Sequence, residues 1–120
     1  MSVRRTMEQE RAERAWQAVR EVQKEKQKEY LALARSAPAD IQNSGLAQTL
    51  AFWRAKGDIH HKALYKHVSE WVMERLGAGK GDLLTWITDA RTSSDQYRRA
   101  TVEALAFLVW IKRFAEAEFK

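Results

Sequence analysis

The stretch ALAFLVWI, residues 104–111, is apolar on every face of a helix. A helix turns once every ~3.6 residues, so no rotation of this segment gives water a polar side. Such a helix belongs at the centre of a bundle, or turns one of its faces to another protein. The flanks extend it. Thr92-Ser93-Ser94-Asp95 is a cluster of helix-capping residues, and Ser93 to Gln96 has the spacing of a capping box. The expected helix runs from about Asp95 to Glu118, and the rest of the chain is read as what surrounds it.

Upstream, Asp82 opens a short helix carrying Leu83, Leu84, Trp86 and Ile87, after the glycine-rich loop GAGKG at 77–81. A longer helix capped by Asp58 carries Ile59, Leu64, Tyr65, Val68, Trp71, Val72 and Leu76 on its buried side. In GLAQTLAFWRAKG, residues 45–57, Leu46, Leu50 and Trp53 recur at helical spacing. That helix is expected to stop at Gly57, the residue type suited to a left-handed C-terminal position. Asn43-Ser44-Gly45 marks a bend. Pro38 is expected to end the first helix and begin the next, because proline lacks an amide hydrogen.

The first helix starts near the capping-box sequence Thr6-Met7-Glu8-Gln9 and meets no breaker before about Arg35. Its apolar stripe, Ala12, Ala15, Trp16, Val19 and Val22, fails over QKEKQKE at 23–29 and resumes with Tyr30, Leu31 and Leu33. One long helix with a wet middle cannot pack along its whole length, so part of it is expected to project or to dock on another chain. The expected fold is all-α: a single-domain bundle of about five to six helices, with a long N-terminal helix over 1–35 and a helical core over 38–120.

Composition narrows the function classes. The 120 residues are 45% hydrophobic and 31% charged, which excludes a disordered chain. With no cysteine there is no disulfide scaffold. No apolar run reaches membrane-spanning length, and MSVRRTMEQE has no apolar signal region, so a cytoplasmic protein without a membrane partner is expected. A net charge of +5 and a pI near 9.7 favour polyanionic partners.

No catalytic constellation emerges. The loop around Lys80 fails the phosphate-binding pattern GxxxxGK[ST]: Gly81 follows the lysine, Glu74 stands where the first glycine belongs, and no strand precedes it. His60, His61 and His67 do not form H-E-x-x-H, and no cysteine completes a zinc set. Adjacent helical residues point about 100° apart. The histidines therefore read as a solvated helix start, and no metal or cofactor is expected. Asp58, Asp82 and Asp89 read as caps or surface residues. A binding or structural protein is expected, not an enzyme.

The basic residues are the candidate site. Arg54, Lys56, Lys62 and Lys66 surround the junction of two helices against one acid, Asp58. On the last helix Arg98, Lys112 and Arg113 fall within an arc of roughly 100°, with Arg98 and Arg113 about 22 Å apart along the axis. Such a stripe could follow a phosphate backbone. The helix dipole accounts for Arg54, Lys56, Lys112 and Arg113 near C-terminal ends. It does not account for Arg98 and Arg99, which lie in a first turn where positive charge is disfavoured.

GLAQTLAFWRAKG, then ALYKHVSEWV, then YRRATVEALAFLVWIKRFAEA together resemble the small helical subunit family of the Cmr complex, the type III-B CRISPR effector. The resemblance covers about Tyr30 to Lys120 in the expected order, and its last segment is the most specific. It implies a compact α-helical protein without catalytic activity of its own. Several copies would stack into a minor filament beside the backbone subunits that hold guide RNA, in a complex that binds target RNA. The implied partners are those backbone subunits, further copies of the chain, and the guide and target RNAs. Arg54, Lys56, Arg98, Arg99, Lys112 and Arg113 fall in the matching segments, and charge and spacing assign them to RNA. Two other readings remain: an interaction module that only braces neighbouring subunits, and, less well supported, a helix-turn-helix DNA regulator with its joint at Gly57.

Overall fold

The computed structural model describes residues 4–119. Among them are six α-helices and no strand: α1 Met7–Arg20, α2 Gln27–Ser44, α3 Leu46–Lys56, α4 Ile59–Arg75, α5 Leu83–Thr88 and α6 Ser94–Glu118. A 3-10 turn, Lys24–Lys26, lies between α1 and α2.

The apolar stretch takes the central place. α6 packs against α1, α2 and α4. Ala100, Ala104, Phe107, Leu108, Ile111 and Ala115 have no exposed surface, and Trp71 of α4 stacks on Phe107 with ring centres 5.5 Å apart. The side away from this core is not covered: Val102 and Val109 are 55% and 52% exposed. The start of α6 is fixed by the reciprocal bonds of Ser93 and Gln96, and that of α1 by the same pattern between Thr6 and Gln9.

The N-terminal segment departs from its sequence reading. Residues 7–44 form two helices, not one helix to Arg35. The buried stripe of α1 and the residues just after it (Ala15, Ala18, Val19, then Val22) and that of α2 (Tyr30, Leu31, Ala34, Ala37, Ile41) would lie roughly 100° apart around one straight helix. No single helix can bury both against the same core. The chain instead opens at Gln23, whose backbone is extended (φ −59°, ψ 136°), and redirects so that both stripes meet α6. α1 does not project. Ala15 and Val19 are fully buried, and Trp16 packs edge-to-face on Phe114 at 4.6 Å.

Pro38 likewise does not end a helix. It lies inside α2. An internal proline removes one helix hydrogen bond and costs about 3 kcal/mol. Tyr30, Leu31, Ala34, Ala37 and Ile41 are buried on both sides of it, and burial of that stripe outweighs the local preference. The real boundary is Gly45, at φ +88°. There the amide of Ala47 donates to the Tyr97 hydroxyl at 2.9 Å, so a side chain from α6 caps α3. Gly57 ends α3 in the left-handed region (φ +65°) as expected.

Two of the buried polar groups, Glu103 and His67, tie helices of this frame together. Glu103 of α6 accepts from Arg11 Nε and Nη2 and from Trp71 Nε1, tying α6 to α1 and α4. His67 of α4 lies between Tyr30 and Glu21, with Nδ1 2.9 Å from the Tyr30 hydroxyl and Nε2 3.3 Å from the Glu21 carboxylate. Burial drives the Tyr30 phenol well above its ordinary range, so the phenol donates. Nδ1 then accepts, and Nε2–H donates to Glu21. This corrects the reading of the histidines as a solvated helix start, since His67 and His61 are both buried.

Burial holds His67 below the usual histidine value, against the opposing pull of Glu21 and with help from Lys66. Burial also lowers His61, with His60 acting in the same direction. Unfolded histidine takes up its proton near pH 6.5, whereas the folded groups resist it until lower pH. Between those values the unfolded state binds more protons, so stability is full above about pH 6.5 and falls as the solution is acidified. Urea unfolding at pH 7.5 and 5.5 should show a lower midpoint at the acidic pH. His67→Gln, which removes one of the two titrations, should shrink that difference; an unchanged difference would exclude His67 as a source.

Candidate nucleic-acid interface

The six basic residues singled out by sequence are divided between two helices, α3 and α6. Arg54, near the end of α3, reaches Asp82 at 3.1 Å and lies over the Tyr65 ring, 5.2 Å from its centre. Asp82 also caps α5, accepting from the Thr85 amide. Although its partial burial opposes the charge, the Tyr65 hydroxyl, the Thr85 donors and Arg54 hold the Asp82 carboxyl below its usual range. Burial, with the bond to Asp82, pushes the Tyr65 phenol up to about 12. The charge of Arg54 is therefore largely answered within the chain. Lys56 is exposed, with its ammonium 5.5 Å from the centre of the Phe52 ring.

The other four lie on α6. Arg98 pairs with Asp95 at 2.9 Å, both side chains well exposed. Such a pair contributes little and opens readily. Arg99, Lys112 and Arg113 form no ion pair among the described residues. The single hydrogen bond between α3 and α6 is at their N-terminal ends, Ala47 to Tyr97. Arg54 stands about 10 Å further along α3, toward Asp82 and α5. The stripe on α6 is also not uniformly basic. Val102 and Val109, both about half exposed, fall between Arg98 and Arg113 on the same arc.

The structure does gather one basic group. Arg98 and Arg99 line a recess of about 230 Å³ together with Arg75, Leu76, Val102 and Glu103. The carboxylate of Glu103 bonds inward to Arg11 and Trp71, and Arg75 also helps to hold it ionised, so Glu103 answers part of the charge of Arg75, while no bond runs from it to Arg98 or Arg99. Sequence reading missed Arg75. It sits in the last turn of α4, a place the helix dipole explains, and nothing in the one-dimensional spacing ties it to a helix beginning 19 residues later.

These features define an all-α bundle that presents charged and apolar faces on its outside. The model of the family described as CRISPR-associated protein (Cas_Cmr5) matches residues 7–118. The chain belongs to the Cmr5 family of CRISPR-associated proteins. It is 37% identical over 115 residues to the CRISPR system Cmr subunit Cmr5 of Thermus thermophilus, covering 94% of this chain and 96% of that protein. A crystal structure of a CRISPR-associated Cmr5 family protein, also from Thermus thermophilus, superposes with a TM-score of 0.79 at 35% identity, covering 98% of this chain and all of the other. No helix among the described residues is long and apolar enough to cross a membrane.

Proposed function

We propose that the chain is a non-catalytic small subunit of a type III-B Cmr effector complex in the cytoplasm, where it stacks in the minor filament and helps to hold guide and target RNA. The observation that carries the RNA contact is the recess where Arg75, Arg98 and Arg99 converge and where Arg99 forms no ion pair among the described residues. Arginine forks suit phosphate oxygens, and contacts of this kind hold a backbone while base pairing reads the sequence. Arg113 and Lys112 extend the same helix face by about 22 Å, far enough to meet further phosphates. Arg54 is the weakest member of the set, because Asp82 holds it.

The test is charge reversal in the assembled complex. Arg98→Glu with Arg113→Glu, and separately Arg99→Glu, should weaken RNA retention about equally for unrelated target sequences. They should flatten the dependence of log affinity on log salt by about 0.7 to 0.9 for each phosphate that the variant no longer neutralises. Circular dichroism and melting should stay nearly as in the parent, since exposed charges contribute little to stability. If affinity and salt slope are unchanged while assembly is intact, the second reading holds. In that reading the subunit only braces its neighbours. It is favoured by Val102 and Val109, an exposed apolar strip in the middle of the same face.

A further inference from the structure

The joint between α3 and α4 carries a side-chain cluster that the RNA-holding role does not use. Gly57 turns the chain and Asp58 stands at the N-cap of α4, yet its carboxylate caps no amide of the helix. Aspartate at this position normally accepts from the second or third amide. Here Oδ2 lies 3.4 Å from Nδ1 of His61, and the contact does not qualify as a hydrogen bond. His61 is only 8% exposed. Its Nδ1 and that of His60 are both shut off from solvent without a partner. The two rings are tilted toward one another, with centres 4.3 Å apart. One ligand-capable atom from each of Asp58, His60 and His61 lies within 4.8 Å of the others. The expectation that neighbouring histidines diverge on a helix therefore fails in this first turn.

We propose that Asp58, His60 and His61 form a binding site for one divalent transition-metal ion of the zinc class. Two imidazoles and one carboxylate suit zinc, copper or nickel, whereas magnesium and calcium prefer all-oxygen sets. Ligands of a tetrahedral zinc stand about 2.0 to 2.2 Å from the metal, so the three groups, whose ligand atoms now lie within 4.8 Å of one another, must close in slightly around the ion. The buried, unpaired nitrogen of His61, aimed at a carboxylate that has left its capping role, is the observation that separates this cluster from an ordinary helix start. The exposed side of Asp58 leaves the fourth position to water. Lys56 on the preceding turn opposes the ion, as does the positive end of α4. The site is therefore weaker than the same three ligands would be without these opposing charges. Bound metal would fasten the end of α3 to the start of α4 across Gly57.

The experiment is calorimetric titration of the full chain, carrying no histidine tag, with zinc chloride at neutral pH, followed by imidazole NMR signals. One zinc ion should bind per chain. The His60 and His61 signals should shift, while His67, enclosed by Tyr30 and Glu21, should not. Magnesium chloride should give neither effect. Asp58→Asn, at an exposed position, and His60→Gln, at a half-buried one, should leave the circular dichroism unchanged while each weakens zinc binding about tenfold or more. No saturable binding, unchanged binding in both variants, or shifts confined to His67 would each refute the site.

Discussion

Leu108→Ala should lower the unfolding free energy by about 2 to 5 kcal/mol, and Ile111→Ala by a similar amount. Both side chains are fully enclosed on α6. Removing either leaves a void facing the helices that α6 touches, and these neighbours are themselves locked into that core. Small domains have about 5 to 15 kcal/mol of stability in total, so one such change removes a large share. Val109 supplies the internal control. It lies between the two in sequence but is 52% exposed, and Val109→Ala should change stability by no more than about 0.5 kcal/mol. Urea titration separates the cases: the midpoint should fall for the buried pair with the slope preserved, and stay put for Val109. Losses below about 0.5 kcal/mol at both Leu108 and Ile111 would mean that this face of α6 is not the core.

That contrast also marks how far the sequence could be read. The central position of α6 follows from ALAFLVWI because burial of so apolar a segment leaves few alternatives. The helix starts at Thr6, Asp82 and Ser93 and the stop at Gly57 were legible because capping is local chemistry, settled within four residues. The break near Gln23 was not legible. No proline or glycine marks it, and its cause is the angle between two apolar stripes that must reach the same distant helix. Pro38 misled for the converse reason: its local cost is real, and the packing of α2 overrides it. The candidate site shows the same division. Arg98 and Arg99 stood out because they occupy a first turn where the dipole disfavours them. Arg75 could join them only once α4 and α6 were side by side. The burial of His61 and His67, and the desertion of the cap by Asp58, depend on contacts that no spacing rule contains.

Glu103→Ala should cost about 3 kcal/mol, through electrostatics instead of volume. The residue is 8% exposed, and its carboxylate accepts from Arg11 Nε at 2.7 Å, Arg11 Nη2 at 3.0 Å and Trp71 Nε1 at 2.9 Å. Alanine leaves the Trp71 indole N–H buried without an acceptor. Arg11 is not stranded, since Glu8 still meets it at 2.7 Å, so the loss falls at the lower end for a broken buried pair. Arg11→Met should be of comparable size, because it leaves the buried Glu103 charge with the indole as its one hydrogen-bond donor and only the field of Arg75 to offset it. The double variant Arg11→Met with Glu103→Leu should lose less than the sum, as the two charges are then absent together. A remainder of about 1 to 2 kcal/mol should persist for the unpaired indole N–H. The pH dependence has a definite sign. Burial opposes the charge on Glu103, yet the bonds from Arg11 and Trp71 hold its carboxyl below the usual glutamate value. The stabilisation is thus present above about pH 4.3, where the unfolded group ionises, and is lost as pH falls through the lower folded value. Glu103→Ala should therefore flatten stability against pH on the acid side of about 4.3, below the window in which the histidines act. The double-mutant cycle gives the deciding measurement. A coupling energy within about 0.5 kcal/mol of zero would mean that Arg11 and Glu103 act independently.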